Sequence, residues 1–204
     1  MIKALLISRE DWVATPEVAG DVLAVQRGDR DAFASLLARY QNRLYRYLLR
    51  WVREQASAED LFQQTWLRVI EKIGRFDARR SFDAWLFAVA RNLAVDHLRR
   101  YRPDSLDEPR EDSLPLLERC AADAPSAIEH VLQFEQAALV QRALESLPPI
   151  HREILSLRFE EEMKLEEIAE VLAIPLSTVK SRLGRALERL RAACLRQQLE
   201  GRAS

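Results

Sequence analysis

Apolar side chains recur three and four residues apart along most of the chain, the spacing that lays them on one face of an α-helix, and the interruptions mark the helix boundaries. The clearest passage is Lys164 to Ala193, KLEEIAEVLAIPLSTVKSRLGRALERLRAA. Leu165, Ile168, Val171 and Leu172 make one stripe, and Ala169 is small enough for a second helix to cross closely. Pro175 disfavours helical geometry at Ile174 and has no N–H to donate, so the first helix is expected to end near Ala173. Ser177 is placed to cap the next one. Val179, Leu183, Ala186, Leu187 and Leu190 make the second stripe, while Thr178, Lys180, Ser181, Arg182, Arg185 and Arg189 fall largely elsewhere on the cylinder. Two helices joined by so short a turn are a helix-turn-helix, and a second helix with an apolar back and a basic front fits the major groove.

The same rhythm predicts the rest of the chain. Residues Met1 to Ala19 have no clear period and read as an extension; a helix follows from near Asp21 to Gly28 or Asp29. The next, starting at Asp29 or Asp31, lines up Phe33, Leu36, Leu37, Tyr40, Leu44, Tyr47, Leu48 and Trp51. Ser57 to Ile73 opens with a capping-box pattern in which Ser57 and Asp60 would satisfy each other's backbone. Leu61, Thr65, Val69 and Ile73 form its main stripe, flanked by Phe62, Trp66 and Ile70, an apolar surface wider than one neighbour needs. Asp60, Gln63, Gln64 and Arg68 border it as a polar rim borders a protein interface. Gly74 ends that helix. Trp85, Val89, Leu93 and Phe82 then fall at core spacing in a helix that Pro103 stops. Asp104 to Pro125, acidic and proline-broken, reads as a linker. A helix from Ala127 runs to Pro148 and Pro149, where Ile150, Ile154, Leu155 and Leu157 begin another. The prediction is an all-α chain of two small helical domains joined by an acidic flexible linker.

Charge sharpens this picture. The net charge of −1 conceals blocks: Gly20 to Pro103 holds 16 basic and 10 acidic residues, Asp104 to Glu135 holds 2 and 9, and Gln136 to Ser204 holds 11 and 10. Two modules that approach polyanions are joined by a connector that avoids them or mimics one. Within the helix-turn-helix the sign changes at the turn: Glu160 to Glu170 has six acids against one lysine, Lys180 to Arg196 six basic residues against one acid. That change fits a second helix meeting phosphate alone. In the basic module, Phe76, Phe82, Trp85 and Phe87 interleave with Arg75, Arg79, Arg80 and Arg91, and Arg99, Arg100 and Arg102 follow. Rings on which bases can stack, beside arginines that hold a backbone, suit single-stranded nucleic acid.

Several function classes drop away. Cys120 and Cys194 stand alone and His97, His130 and His151 are scattered, so no metal site, disulfide framework or nucleophile-and-base pair is expected, and no cofactor. Met1 to Val25 is broken by charges and no run approaches membrane-spanning length, so membrane insertion is not expected and a cytoplasmic protein is.

The residues so assembled resemble a bacterial RNA polymerase sigma factor of the extracytoplasmic-function group, in the sigma-70 family, from Gly20 to about Leu195. SAEDLFQQTWLRV resembles the family's polymerase-binding helix, SFDAWLFAVARNLAVDHLRR its promoter-melting and minus-ten-reading helices, and SLPPIHREIL through SRLGRALERL its minus-thirty-five-reading domain. The resemblance implies region 2 over residues 20–103, a linker over 104–126, region 4 over 127–196 and a tail over 197–204. It implies that Asp60, Gln63, Gln64, Trp66 and Ile70 face the clamp helices of the largest polymerase subunit, with Gln64 where the family commonly has Glu. The flap of the second-largest subunit would be a further contact. Phe76, Arg79, Arg80, Ser81, Asn92, Asp96, Arg99 and Arg100 would serve the melted minus-ten element, the loop Phe76 to Phe82 holding a flipped base with Asn92 near its pocket. Thr178, Lys180, Ser181, Arg182 and Arg185 would read the double-stranded minus-thirty-five element. Gly184 stands where a larger side chain is common. Ala173 replaces a usual turn glycine, so an alternative to left-handed geometry is expected there. An anti-sigma factor is an expected partner. The rival reading is a dimeric helix-turn-helix regulator with an N-terminal sensory domain; an enzyme carrying such a motif is remote.

Overall fold

The computed structural model describes residues 16–101 and 139–200. The expected linker and the helix start at Ala127 lie outside them. Every described element is α-helical: α1 (Pro16–Gln26), α2 (Arg30–Val52), α3 (Gln55–Ile73), α4 (Phe82–Tyr101), α5 (residues 139–145), α6 (Pro149–Phe159), α7 (Leu165–Leu172) and α8 (Leu176–Glu200). The chain divides into two compact units, the first holding α1 to α4 with residues 166–173, the second holding α6, α8 and the segments around them.

In the first unit α1, α2, α3 and α4 pack around a shared core. α1 begins five residues before the expected Asp21, because Val18 and Val22 bury one turn apart. Arg39 of α2 ion-pairs with Glu17 of α1 at 2.8 Å, and the Ser35 hydroxyl bonds Asp21 at 3.1 Å. Asp29 caps α2, its carboxylate accepting from the N–H groups of Asp31 and Ala32. Of the predicted α2 stripe, Leu36, Tyr40, Leu44, Tyr47 and Leu48 are buried, while Phe33, Leu37 and Trp51 are half-buried at its margin. The buried Tyr40 hydroxyl donates to Asp83 of α4 at 2.7 Å, and Arg43 pairs with the same carboxylate at 3.1 Å while lying over the Tyr40 and Phe87 rings. Burial and the Asp83 charge push the Tyr40 phenol well above its usual range, so it remains a donor and ties α2 to α4.

Two expectations for the flanks of α3 and α4 fail. The capping box at Ser57 does not form. α3 starts at Gln55 with Glu54 at the cap, and Ser57, already in the first turn, donates its hydroxyl to the Glu54 carboxylate instead. In α4 the buried positions are Phe82, Ala84, Leu86, Phe87, Ala90 and Ala94, whereas Trp85, Val89 and Leu93 are half-buried. Small residues let the helix approach closely along the 86–90–94 line, which turns the 85–89–93 line outward.

In the second unit α6 packs on α8. Pro149 occupies the first turn of α6, as expected; Ile154, Leu155 and Leu157 are buried, but Ile150 is exposed. Ala143, Leu147, Met163, Val179, Ala186 and Ala193 are buried with them. α8 continues to Glu200, through the start of the expected tail.

Candidate nucleic-acid interface

The segment between α3 and α4 is built as a series of turns. Gly74 ends α3 in right-handed geometry, and the N–H groups of Arg75 and Phe76 fold back onto the carbonyls of Lys72 and Ile73. The Phe76 ring is buried, 4.7 Å from Trp85 and 5.9 Å from Phe82 between centroids. That corrects the expectation of an exposed stacking platform at Phe76: its neighbours are the two aromatic residues at the start of α4, and its ring forms the floor of the loop. Asp77 then makes a side-chain turn, accepting from the Arg79 N–H at 3.0 Å and from the Arg79 guanidinium, while its carbonyl accepts from Arg80. The Arg79 hydrogen bonds hold the Asp77 carboxyl below its ordinary range and raise Arg79 in return. Ser81 caps α4, its hydroxyl accepting from the Ala84 N–H at 3.2 Å, so this serine has a structural task as well as the DNA role expected of it.

Beyond the loop, Trp85, Val89, Asn92, Asp96 and Arg99 follow one another at helical spacing, running from half-buried to exposed, with Arg100 exposed beside them. Arg79 and Arg80 are exposed on the loop. Aromatic surface, amide, carboxylate and guanidinium therefore line a continuous strip, the combination that stacks bases and holds a phosphate backbone.

On α3 the outward face carries Asp60, Gln63, Gln64, Leu67 and Ile70, all exposed. Leu67 and Ile70 are 60% and 53% exposed, large apolar side chains one turn apart on a helix whose opposite stripe (Ala58, Leu61, Thr65, Val69, Ile73) is fully buried. Trp66 does not join them. It is 5% exposed, edge-on to Phe33 at 5.6 Å and Phe62 at 6.4 Å, and its Nε1 has no hydrogen-bond partner among the described residues. The position one residue round from the main stripe is still inward-facing because α2 supplies Phe33 against it. Leu67 is the residue that the apolar pattern alone does not single out; its offset from both stripes was the available signal.

At the helix-turn-helix, α7 closes at Leu172 and Ala173 takes φ 51°, left-handed geometry. The expectation of an alternative was wrong: the turn keeps the backbone a glycine would use and places an alanine in it. α8 starts at Leu176, with the Val179 N–H on the Pro175 carbonyl at 3.1 Å, so Ser177 lies inside the first turn and is not the cap. Val179 and Ala186 are buried, Leu183, Leu187 and Leu190 half-buried. Lys180, Ser181 and Arg185 are exposed, Thr178 and Arg182 half-buried. The Arg185 guanidinium is parked on Ser181, 3.3 Å from its carbonyl and 3.4 Å from its hydroxyl. Among the described residues a Cβ added at Gly184 would meet nothing within 4 Å, so this glycine leaves open surface in the middle of the basic face.

An aromatic, arginine-rich helical unit together with a helix-turn-helix whose second helix is basic is the combination of a DNA-binding transcription factor. Comparison with known proteins is specific. Family models match residues 36–103 as Sigma-70 region 2 and residues 143–192 as Sigma-70, region 4. The chain is 32% identical over 170 residues to the ECF RNA polymerase sigma factor SigW of Bacillus subtilis, covering 82% of this chain and 91% of that one. It is 34% identical over 167 residues to the RNA polymerase sigma-H factor of Pseudomonas aeruginosa, covering 80% and 86%. Among solved structures, CnrH in complex with the cytosolic domain of CnrY matches with TM-score 0.60 at 24% identity, over 86% of this chain and 96% of that one. The sigma factor RpoE in complex with the anti-sigma factor NepR from Bartonella quintana also matches with TM-score 0.60, at 22% identity, over 79% and 95%. The chain belongs to the sigma-70 family of RNA polymerase sigma factors, in its extracytoplasmic-function group: it is a transcription initiation factor that directs RNA polymerase to promoters. The dimeric-regulator alternative is not favoured. Sigma factors are not enzymes in the usual sense. Among the described residues no helix is long and apolar enough to cross a membrane.

Proposed function

We propose that residues 20–103 act as region 2 and residues 127–196 as region 4, and that the work is divided among three faces. The face Asp60, Gln63, Gln64, Leu67 and Ile70 docks on the clamp helices of the largest polymerase subunit. Its exposed leucine and isoleucine supply the apolar centre and the acid and amides the rim. The loop 75–81 with Asn92, Asp96, Arg99 and Arg100 captures the non-template strand at the minus-ten element. A base leaves the stack at a cost of about a few kcal/mol, which stacking and phosphate contacts offset, so melting needs no nucleotide hydrolysis. The α8 residues Thr178, Lys180, Ser181, Arg182 and Arg185 read the minus-thirty-five element. The region 4 match runs without a break through residues 166–173, which supports reading α7 together with the helices that flank it.

The observation that carries the assignment is the pair Leu67 and Ile70: large apolar side chains left in water, rimmed by polar groups, on the helix that also builds the core. The chain works in the cytoplasm, where its polymerase is, and an anti-sigma factor holds it inactive; the Bartonella quintana relative RpoE has been solved in complex with such a factor, NepR. Run-off transcription with core polymerase across a genomic promoter library tests the whole reading. Discrete start sites that depend on this chain are expected; a chain that gives none, while shifting a palindromic duplex by itself at nanomolar concentration, would overturn it.

A further inference from the structure

We infer that Gln26 is a positioning residue for the minus-ten loop: its side-chain amide clamps the exit of α3 so that the loop 75–81 is already shaped to receive an unstacked base. The inference rests on the reading of that loop given above. The last carbonyls of any helix lack partners within the helix and must find them elsewhere. At the end of α3 the Gln26 amide nitrogen, from the last residue of α1, donates to the Ile73 carbonyl and to the Phe76 carbonyl, both at 2.7 Å. Both amide hydrogens are used, which settles the orientation of the group. The two carbonyls bracket the bend: Ile73 is the last residue of α3, and Phe76 is the one whose ring floors the loop.

The Ile73 carbonyl also accepts the Phe76 N–H at 3.0 Å, so the backbone turn and the side-chain clamp share one atom. Downstream of the clamp the loop backbone is held by the Asp77 turn and the Ser81 cap, both internal to the segment 77–84, while the Arg80 side chain pairs with Glu170 at 3.0 Å on the surface. Gln26 therefore ties the backbone of the bend to α1, across some fifty residues of sequence. It also lies ten residues upstream of the segment matched as Sigma-70 region 2, so the family match assigns it nothing. A loop ordered in advance does not have to be ordered when the base arrives, and affinity rises by the cost avoided.

The test uses the full chain, alone and assembled with core polymerase. Gln26→Glu keeps the side-chain shape but turns both donors into acceptors facing carbonyls; Gln26→Leu removes polarity without adding charge; Gln26→Lys restores donors that reach both oxygens. The probe is the non-template single strand of a promoter found by run-off transcription, against the same strand with its minus-ten bases shuffled. Gln26→Glu and Gln26→Leu are expected to speed hydrogen exchange of the loop amides and to cut the preference for the intact strand by about tenfold, the worth of roughly one to two net hydrogen bonds. Gln26→Lys is expected to recover most of both, and core-polymerase affinity stays unchanged in all three. Unchanged loop exchange and unchanged strand preference would overturn the inference. So would a loss of core affinity and thermal stability that Gln26→Lys does not repair, because that is a fold effect. The underlying reading is tested separately by Arg79→Ala with Asn92→Ala: if that pair leaves strand preference intact, the loop is not the reader, whatever Gln26 does.

Discussion

Trp66 and its neighbours Leu67 and Ile70 sit within a turn and a half of one another and answer to different forces. The indole is packed between Phe33 and Phe62, so Trp66→Ala removes a large buried side chain and is expected to cost about 3 to 5 kcal/mol of stability, read as a lower denaturation midpoint. Leu67→Ala with Ile70→Ala removes side chains that are already in water. That double variant is expected to keep the unfolding midpoint within about 0.5 kcal/mol of wild type and to lose most of its affinity for core polymerase in a pull-down or anisotropy titration. The pattern of apolar positions names Trp66 and Ile70 without ranking them and passes over Leu67, because which side of a helix a neighbour covers depends on the neighbour. Arg185 is a contrasting case. Its position on the basic face of α8 is readable from spacing alone, and the structure adds only that its guanidinium rests on Ser181 and must leave it to meet a base edge. Arg185→Ala is expected to weaken minus-thirty-five binding by about 1 to 3 kcal/mol and to relax preference at one base pair, measured on a promoter series.

At the scale of elements, turns were the harder part to read. The expected α2 start at Asp29 or Asp31 lies within a residue of the observed Arg30, where Asp29 is the cap; an Asx cap is a local device that needs no distant partner. Ser57 and Ser177 carry the same cap chemistry, yet each helix begins before its serine. At α3 the Glu54 carboxylate takes the hydroxyl, and at α8 Pro175 can lead directly into the first turn. Ala173 is the element-scale finding with a measurable consequence. A left-handed alanine is strained by its Cβ, whereas glycine enters that geometry freely at the expense of a more flexible unfolded chain. Ala173→Gly is expected to raise the stability of the helix-turn-helix by up to about 1 kcal/mol, visible as a higher thermal midpoint followed by helicity. A lower midpoint would mean that the turn gains more from the alanine than the left-handed backbone loses.

For the molecule as a whole, acid is the sharpest probe. His151 is 9% exposed, its Nδ1 has no hydrogen-bond partner among the described residues, and burial, followed by the charges of Arg189, Arg185 and Arg182, holds its pKa below the ordinary value of about 6.5. The unfolded chain therefore binds a proton that the folded one resists. Stability is full above about pH 6.5 and falls as the pH drops from there through the lower folded value. His151→Leu is expected to flatten that part of the stability curve, in denaturant titrations between about pH 5 and pH 7. Helical rhythm, the change of charge sign at the turn and the order of the three motif-bearing stretches determined the fold class and the family from the sequence itself. They could do so because periodicity and charge are properties of neighbours along the chain. Only the tertiary structure decided that Trp66 and Phe76 are packed inside, that Leu67 is left outside, that Asp83 locks Tyr40 and Arg43, and that a glutamine in α1 holds the bend after α3. Each of those depends on a group brought in from another helix, and the distance between them in space is not encoded by their spacing in sequence.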